Sequence, residues 1–265
     1  MVNRLLAVAT IAAALAGGAA RAEESVDVAA RAQELFRRDN LVAWCIVPFD
    51  TKQRGPEERA AMLEKLGFKH FAYDWRPNHV KTFDQEWDAL AKHGVALDAV
   101  WSKPPHFGDL LQNFQRRGLK PAFWIQIKPP SGKLEEQAER VQWAADELRP
   151  IAKAAAKADC SVAIYNHGGW GGEPGNMVAV CEALAMPNVG IVYNLHHGHD
   201  HLPRFEQALA KMLPHLRCLN INGMTAGGHK KGKKILVLGQ GDLELGLLKT
   251  ICQSGYKGPI GIIGH

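Results

Sequence analysis

A chain of 265 residues with 46% hydrophobic residues, 22% charged residues and a net charge of +5 is long enough for one large α/β domain and too apolar for a disordered tail. Its five cysteines, Cys45, Cys160, Cys181, Cys218 and Cys252, are widely spaced with no C-x-x-C pair, which excludes a zinc finger or a dense disulfide framework. The odd count forbids full pairing and leaves a single disulfide open in an oxidising compartment.

Residues 1–22 read as a secretory signal: Arg4, an apolar run from Leu5 to Leu15, then Gly17, Gly18 and Ala20-Arg21-Ala22, with cleavage expected after Ala22. The apolar core is too short for a stable membrane span, so the expected location is secreted or periplasmic. A lead-in helix is expected within residues 23–40, and one domain over 41–265.

From there the sequence alternates between apolar runs of strand length and longer amphipathic segments. The runs are Leu41 to Pro48, Phe68 to Trp75, Val95 to Trp101, Leu119 to Ile127, Ser161 to Asn166, Val189 to Leu195, Cys218 to Asn222 and Pro259 to Ile263. Between them, apolar spacings of three and four predict helices over Pro56–Leu66, Phe83–His93, Phe107–Arg117, Leu134–Lys157, Gly175–Ala185, Pro203–Leu213 and Asp242–Ser254. Several end in a glycine followed by the next strand, as at Gly67, Gly94, Gly118 and Gly255. Strand–helix repeats without hairpin turns mean parallel strands, and eight of them predict a closed (β/α)8 TIM barrel, the open doubly wound sheet being the weaker alternative. No G-x-G-x-x-G follows the first strand, which argues against a dinucleotide fold. The sequence ends at His265, directly after the eighth strand. The lead-in helix or another chain is left to cover that strand, or the sequence is truncated.

The richest stretch is Val189 to His201, where an apolar run opens into Asn194, His196, His197, His199, Asp200 and His201. Neutral imidazole is a common metal ligand and the usual acid or base near neutral pH, so this strand end is a candidate site. In a TIM barrel the other strand ends share its mouth. They bring Asp50, Tyr73, Asp74, Arg76, Trp101, Lys103, Gln126, Lys128, Asn166, His167, Asn220, Asn222 and His265. Trp75, Trp101 and Trp170, with Tyr73, offer faces for a sugar ring, while Trp124 in mid-strand reads as core filler. Gly168 to Glu173 is a glycine-rich loop carrying Trp170, suited to a lid or to an ordinary connection. The lysines at 230, 231, 233 and 234 read first as a solvated loop, with an acidic or phosphate partner as the minority reading.

Leu238-Gly239-Gln240-Gly241-Asp242, followed by a helix and Gly255-Tyr256-Lys257-Gly258-Pro259-Ile260, resembles the closing pattern of the xylose isomerase-like TIM-barrel family of sugar isomerases, epimerases and endonuclease IV-type enzymes. Asn194-Leu195-His196-His197 is similar to that family's Asp-x-x-His. The resemblance implies a sugar or glycoside substrate and enolisation at the carbon next to a carbonyl. In the epimerase members two glutamates, an aspartate and a histidine usually hold a divalent cation. This sequence departs from that set: no glutamate follows strand five or strand eight, and Asn194 replaces the aspartate. The remaining metal candidates are His167, Asn194, His197, His199 and His265, which would suit zinc, nickel or cobalt better than manganese; a metal-free site stays open. His167 and His197 are the proton-transfer candidates, with Glu173 as a substitute base. Tyr73, Asp74, Trp101, Gln126, Lys128, Trp170 and Asn222 are the substrate-binding candidates. Lys128 could hold a carboxylate or phosphate or form a Schiff base.

The expectation is an exported sugar isomerase or epimerase-like enzyme acting on a free sugar or glycoside. A non-catalytic carbohydrate-binding barrel and a keto-glycoside lyase are the alternatives. No nucleic-acid partner is expected, and a homo-oligomer is left open.

Overall fold

The computed structural model describes residues 27–263 apart from 103 and 131. The signal-like segment, the first residues of the lead-in region, Lys103 and His265 therefore lie outside the described residues. Eight strands close into a barrel in chain order, every neighbouring pair parallel. They are β1 (Leu41–Trp44), β2 (His70–Tyr73), β3 (Ala96–Trp101), β4 (Ala122–Ile125), β5 (Ser161–Tyr165), β6 (Val189–Asn194), β7 (Leu216–Ile221) and β8 (Ile260–Ile263). The helices are α1 (Val28–Leu35), α2 (Pro56–Leu66), α3 (Phe83–Lys92), α4 (Pro104–Arg117), α5 (Gln137–Ala156), α6 (Pro174–Leu184), α7 (Phe205–Met212) and α8 (Glu244–Gln253). No helix among the described residues is long and apolar enough to cross a membrane.

Local signals explain these boundaries. Asp27 caps α1 by accepting from the amides of Ala29 and Ala30 at 3.0 and 3.1 Å. At the end of α2, Gly67 takes φ +77°, a left-handed value that costs glycine nothing and lets the chain turn directly into β2.

Strand alternation sorts the apolar residues into two cores. Ala43, Phe71, Tyr73, Val100, Phe123, Val162, Ile191 and Leu219 face outward against the helices. Val42, Trp44, Ala72, Ala99, Trp124, Ala163, Tyr165, Val192 and Cys218 fill the barrel itself. Trp44 and Trp124 meet edge to face with ring centroids 4.6 Å apart, as do Trp101 and Tyr165. Trp124 is thus core filler, packed inside the barrel rather than between barrel and helices. All five cysteines are buried and free, so the single disulfide left open by the sequence is not formed.

The lead-in helix packs against α8. Arg31 of α1 donates to the Tyr256 carbonyl at 2.5 Å, and Asn40 donates to the carbonyls of Leu35 and Gly258 at 2.7 and 3.1 Å. Behind α2, the ion pair of Arg59 and Glu86 is almost fully enclosed, with side-chain exposures of 3% and 0%.

Candidate active site

A cavity of about 590 Å³ opens where the strands end. β1 delivers Trp44 to it and the residue after it Cys45, the segment after β2 Asp74 and Arg76, β3 Trp101, and the segment after β4 Gln126 and Lys128. His167 follows Tyr165 at the end of β5, and His196 and His197 follow β6. The wall is completed by Lys234 and Ile235 from the long loop after β7.

The imidazoles of His167 and His197 lie 4.4 Å apart between ring centroids, although they come from different strands. Lys234 Nζ stands 3.1 Å from Nδ1 of His197, an arrangement that places the ring's own proton on Nε2 when the ammonium donates. Burial, then the charges of Lys234 and Lys128, hold the His167 pKa below its ordinary value. His167 is therefore neutral at physiological pH and able to accept a proton.

Asp74 is buried at 2% exposure. Its Oδ1 accepts from the amide of Val47 at 3.1 Å, and its Oδ2 is buried without a hydrogen-bond partner among the described residues. Desolvation raises its pKa to about 7, against the pull of that amide and of Arg76. Beside it, burial and the Asp74 charge keep the Cys45 thiol protonated. Cys45 also holds φ +60°, a left-handed conformation that costs a non-glycine residue on the order of 1 kcal/mol or more. A strained backbone and a half-satisfied acid thus occupy the same wall.

Behind the cavity, Asn166, Asn194 and Asn220 form a buried amide ladder. Asn166 Oδ1 accepts from the backbone amide and Nδ2 of Asn194 at 2.8 and 2.9 Å. Asn220 Nδ2 donates to Asn194 Oδ1 at 2.6 Å, and Asn166 Nδ2 donates to the Asn194 carbonyl at 3.0 Å. All three side chains are fully buried, and their oxygens are already engaged. Among the described residues no three of His, Cys, Asp or Glu form a metal-binding group. The donor set is also accompanied by three cations, Arg76, Lys128 and Lys234, in the cavity wall. A cation held by carboxylates does not fit these residues.

Several expectations from the sequence are corrected by this geometry. Tyr73 points outward into the helix layer, packed against Trp87 at 5.2 Å and Phe83 at 6.1 Å, because strand alternation turns it away from Asp74. Asn222 is buried and donates to the Gly223 carbonyl at 2.8 Å, outside the cavity wall. Asn194 is locked in the amide ladder and is no free ligand. His199 turns away from His197: its Nε2 lies 2.8 Å from the Lys234 carbonyl, and its ring lies 4.8 Å from that of His229. It anchors the loop that carries Lys234. Glu173 makes a two-pronged pair with Arg204 at 2.6 and 2.9 Å and lies 3.4 Å from His201, so its carboxylate is committed away from the cavity. Trp170 lines an adjoining depression with Lys128 and His167. Its indole donates to Gln137 Oε1 at 2.8 Å and its carbonyl accepts from Asn176 at 2.8 Å, which ties the glycine-rich loop to α5 and α6.

The structure brings His167, His197, Asp74, Trp101, Gln126 and Lys128 together. Sequence reasoning missed Trp44, Cys45, Tyr165 and Lys234 as cavity residues. Strand parity pointed to Trp44 and Tyr165, which share a face with Val42 and Ala163. Nothing local marked Lys234, whose position is set by the His199 anchor and by the bridge between Gly223 and Leu236.

A closed parallel barrel with a histidine-bearing cavity at its strand ends is the architecture of the TIM-barrel enzymes. Residues 106–263 match the family model described as Xylose isomerase-like TIM barrel, and the chain belongs to that family. Among solved structures it is similar to 3-keto-D-glucoside 4-epimerase from E. coli in its apo form, with 14% identity over 86% of this chain and 92% of that one and a TM-score of 0.65. It is also similar to D-psicose 3-epimerase from Clostridium cellulolyticum H10 with D-tagatose, at 13% identity, 79% of each chain and a TM-score of 0.59. The IOLI protein with a zinc atom gives 15% identity, 84% of this chain, 87% of that one and a TM-score of 0.64. At these identities the likeness shows the fold. No curated protein sequence matches the chain.

Proposed function

We propose that the protein is a sugar isomerase or epimerase-like enzyme that enolises a keto-sugar without a carboxylate-bound metal. The observation that carries this reading is the meeting of His167 and His197 at 4.4 Å in the cavity that Asp74 also lines. Enolisation needs a group that takes the proton from the carbon beside a carbonyl and another that steadies the oxygen as it gains charge. His167, kept neutral by burial and by nearby cations, is the acceptor. Asp74, with its pKa raised to about 7, holds a proton near neutral pH that it can share with the developing enolate oxygen. Lys128 and Lys234, both in the cavity wall, add positive charge there. Return of the proton to the opposite face of the same carbon gives an epimer, and its return to the neighbouring carbon gives an isomer. Trp101, which forms part of the wall, supplies a face for the sugar ring.

The names of the similar structures, a keto-glucoside epimerase and a psicose epimerase, support a keto-sugar or keto-glycoside substrate. The signal-like residues 1–22 support export, which subcellular fractionation of the producing cell tests directly. The chemistry is tested by incubating the protein with 3-keto-glucosides and ketohexoses in deuterium oxide. Deuterium is expected at the carbon next to the carbonyl, and its uptake is expected to fall at least about a hundredfold in His167→Gln, the scale of general acid–base catalysis. A protein that binds these sugars without any exchange is a carbohydrate-binding barrel instead.

A further inference from the structure

We infer that the cavity takes an anionic sugar, one carrying a carboxylate or a phosphate, held by Lys128, Lys234 and Arg76. The inference rests on the reading above for the word substrate, while the cation cluster stands on its own geometry. The three side chains arrive from three places, after β4, from the loop after β7 and after β2, and line one cavity of about 590 Å³. None of them forms an ion pair among the described residues, whereas Arg31, Arg54, Arg59, Arg117 and Arg204 each pair with a carboxylate.

Two of the three are fixed in place before any ligand arrives. Arg76 donates through one nitrogen to the carbonyls of Asp74 and Trp75 at 2.7 and 2.9 Å, which orients its guanidinium at the wall. Lys234 is carried over the mouth by the His199 contact to its carbonyl at 2.8 Å, and its ammonium stands 3.1 Å from His197. Lys128 has no hydrogen-bond or ion-pair partner among the described residues and extends from the strand end into the wall shared with the adjoining depression. Asp74 is the one carboxylate in the wall among the described residues, and burial favours its neutral form. Cations gathered without counter-charge repel one another, and a bound oxyanion removes that repulsion. A neutral sugar would leave them uncompensated.

The test is calorimetric binding to the full chain of matched probes: D-glucose, D-glucuronate, D-glucose 6-phosphate and inorganic phosphate. The charged sugars are expected to bind about tenfold or more tighter than glucose at low ionic strength, with the advantage shrinking as salt rises to about 0.3 M. Lys128→Gln and Lys234→Gln, both exposed positions, are each expected to reduce that advantage severalfold. Glucuronate ahead of glucose 6-phosphate identifies a carboxylate, and the reverse order a phosphate. Equal binding of glucose and both charged sugars overturns the inference, as does an advantage that survives both substitutions and high salt. Binding of inorganic phosphate alone, with neither charged sugar, overturns it too. The two readings fail separately: charged sugars that bind without any deuterium exchange remove the enzyme reading, and exchange confined to neutral keto-sugars removes this one.

Discussion

Lys234 Nζ lies 3.1 Å from Nδ1 of His197 although 37 positions separate them in sequence, so one wall of the cavity is built by the loop after β7 reaching back over β6. The same ammonium helps to hold the His167 pKa low. Lys234→Gln is therefore expected to raise the pKa of His167, which histidine resonances followed through a pH titration would record. A pKa that stays put would mean that burial alone sets it.

Asp74 couples this site to stability. Its ordinary value is 3.8 and its folded value about 7. Below pH 4 the carboxyl is protonated in both states and costs nothing. Between about 4 and 7 the unfolded chain ionises while the folded one keeps its proton, so stability falls as pH rises, by about 1.4 kcal/mol for each pH unit. Above 7 the penalty levels off. Asp74→Asn keeps an acceptor for the Val47 amide and removes the ionisation, so its Tm is expected to exceed that of the parent at pH 8 and to converge with it near pH 4. Thermal unfolding at the two pH values checks this, and deuterium exchange by the same variant is expected to fall.

Most of the barrel was legible in the sequence because both of its periodicities are local. Val42, Trp44, Val162 and Ile164 announce strands, and Gly67, Gly94 and Gly118 announce helix ends, whatever lies elsewhere in the chain. The site was legible where a strand simply ends, as at His167 and Gln126. It was illegible where tertiary contacts redirect a residue. Glu173 looked available until Arg204, 31 positions later, was seen to engage both of its oxygens. Lys234 looked like one of several solvated lysines because nothing near it in sequence records the His199 anchor. Tyr73 failed for a simpler reason: adjacent strand residues face opposite sides, so Tyr73 and Asp74 could not both enter the cavity.

The enclosed pair of Arg59 and Glu86 is expected to carry stability alone. Arg59→Met strands a carboxylate of 0% side-chain exposure, at a cost of about 3 to 5 kcal/mol. Urea unfolding measures it, and the double replacement Arg59→Met with Glu86→Leu is expected to recover much of the loss. A single variant as stable as the parent would show that Glu86 accepts a proton at little cost.

Glu173→Gln gives the opposite contrast to the cavity residues. The pair with Arg204 is half exposed, with side chains at 33% and 49%, so its loss is expected to cost no more than about 1 kcal/mol. Exchange activity is expected to stay within about threefold of the parent, since a shift of that size in kcat reflects well under 1 kcal/mol. A hundredfold loss would return Glu173 to the list of bases.

Chelation addresses the strand ends. Because the Asn166 and Asn194 side-chain oxygens accept from neighbouring amides, that of Asn220 accepts from the Cys218 thiol at 3.4 Å, and the wall is cationic, dialysis against EDTA is expected to leave both Tm and exchange rate unchanged. A drop in either that added zinc or manganese restores would show that the ladder opens to accept an ion.

The chain of three amides also constrains anyone who would redesign this barrel. Turning Asn194 alone into aspartate would delete the N–H that now reaches Asn166 and set a charge against a neighbouring oxygen, and replacing only Asn166 or only Asn220 by a carboxylate breaks the same interlocked set. Each single step passes through a less stable protein, so installing a cation centre here calls for replacing the whole row at once.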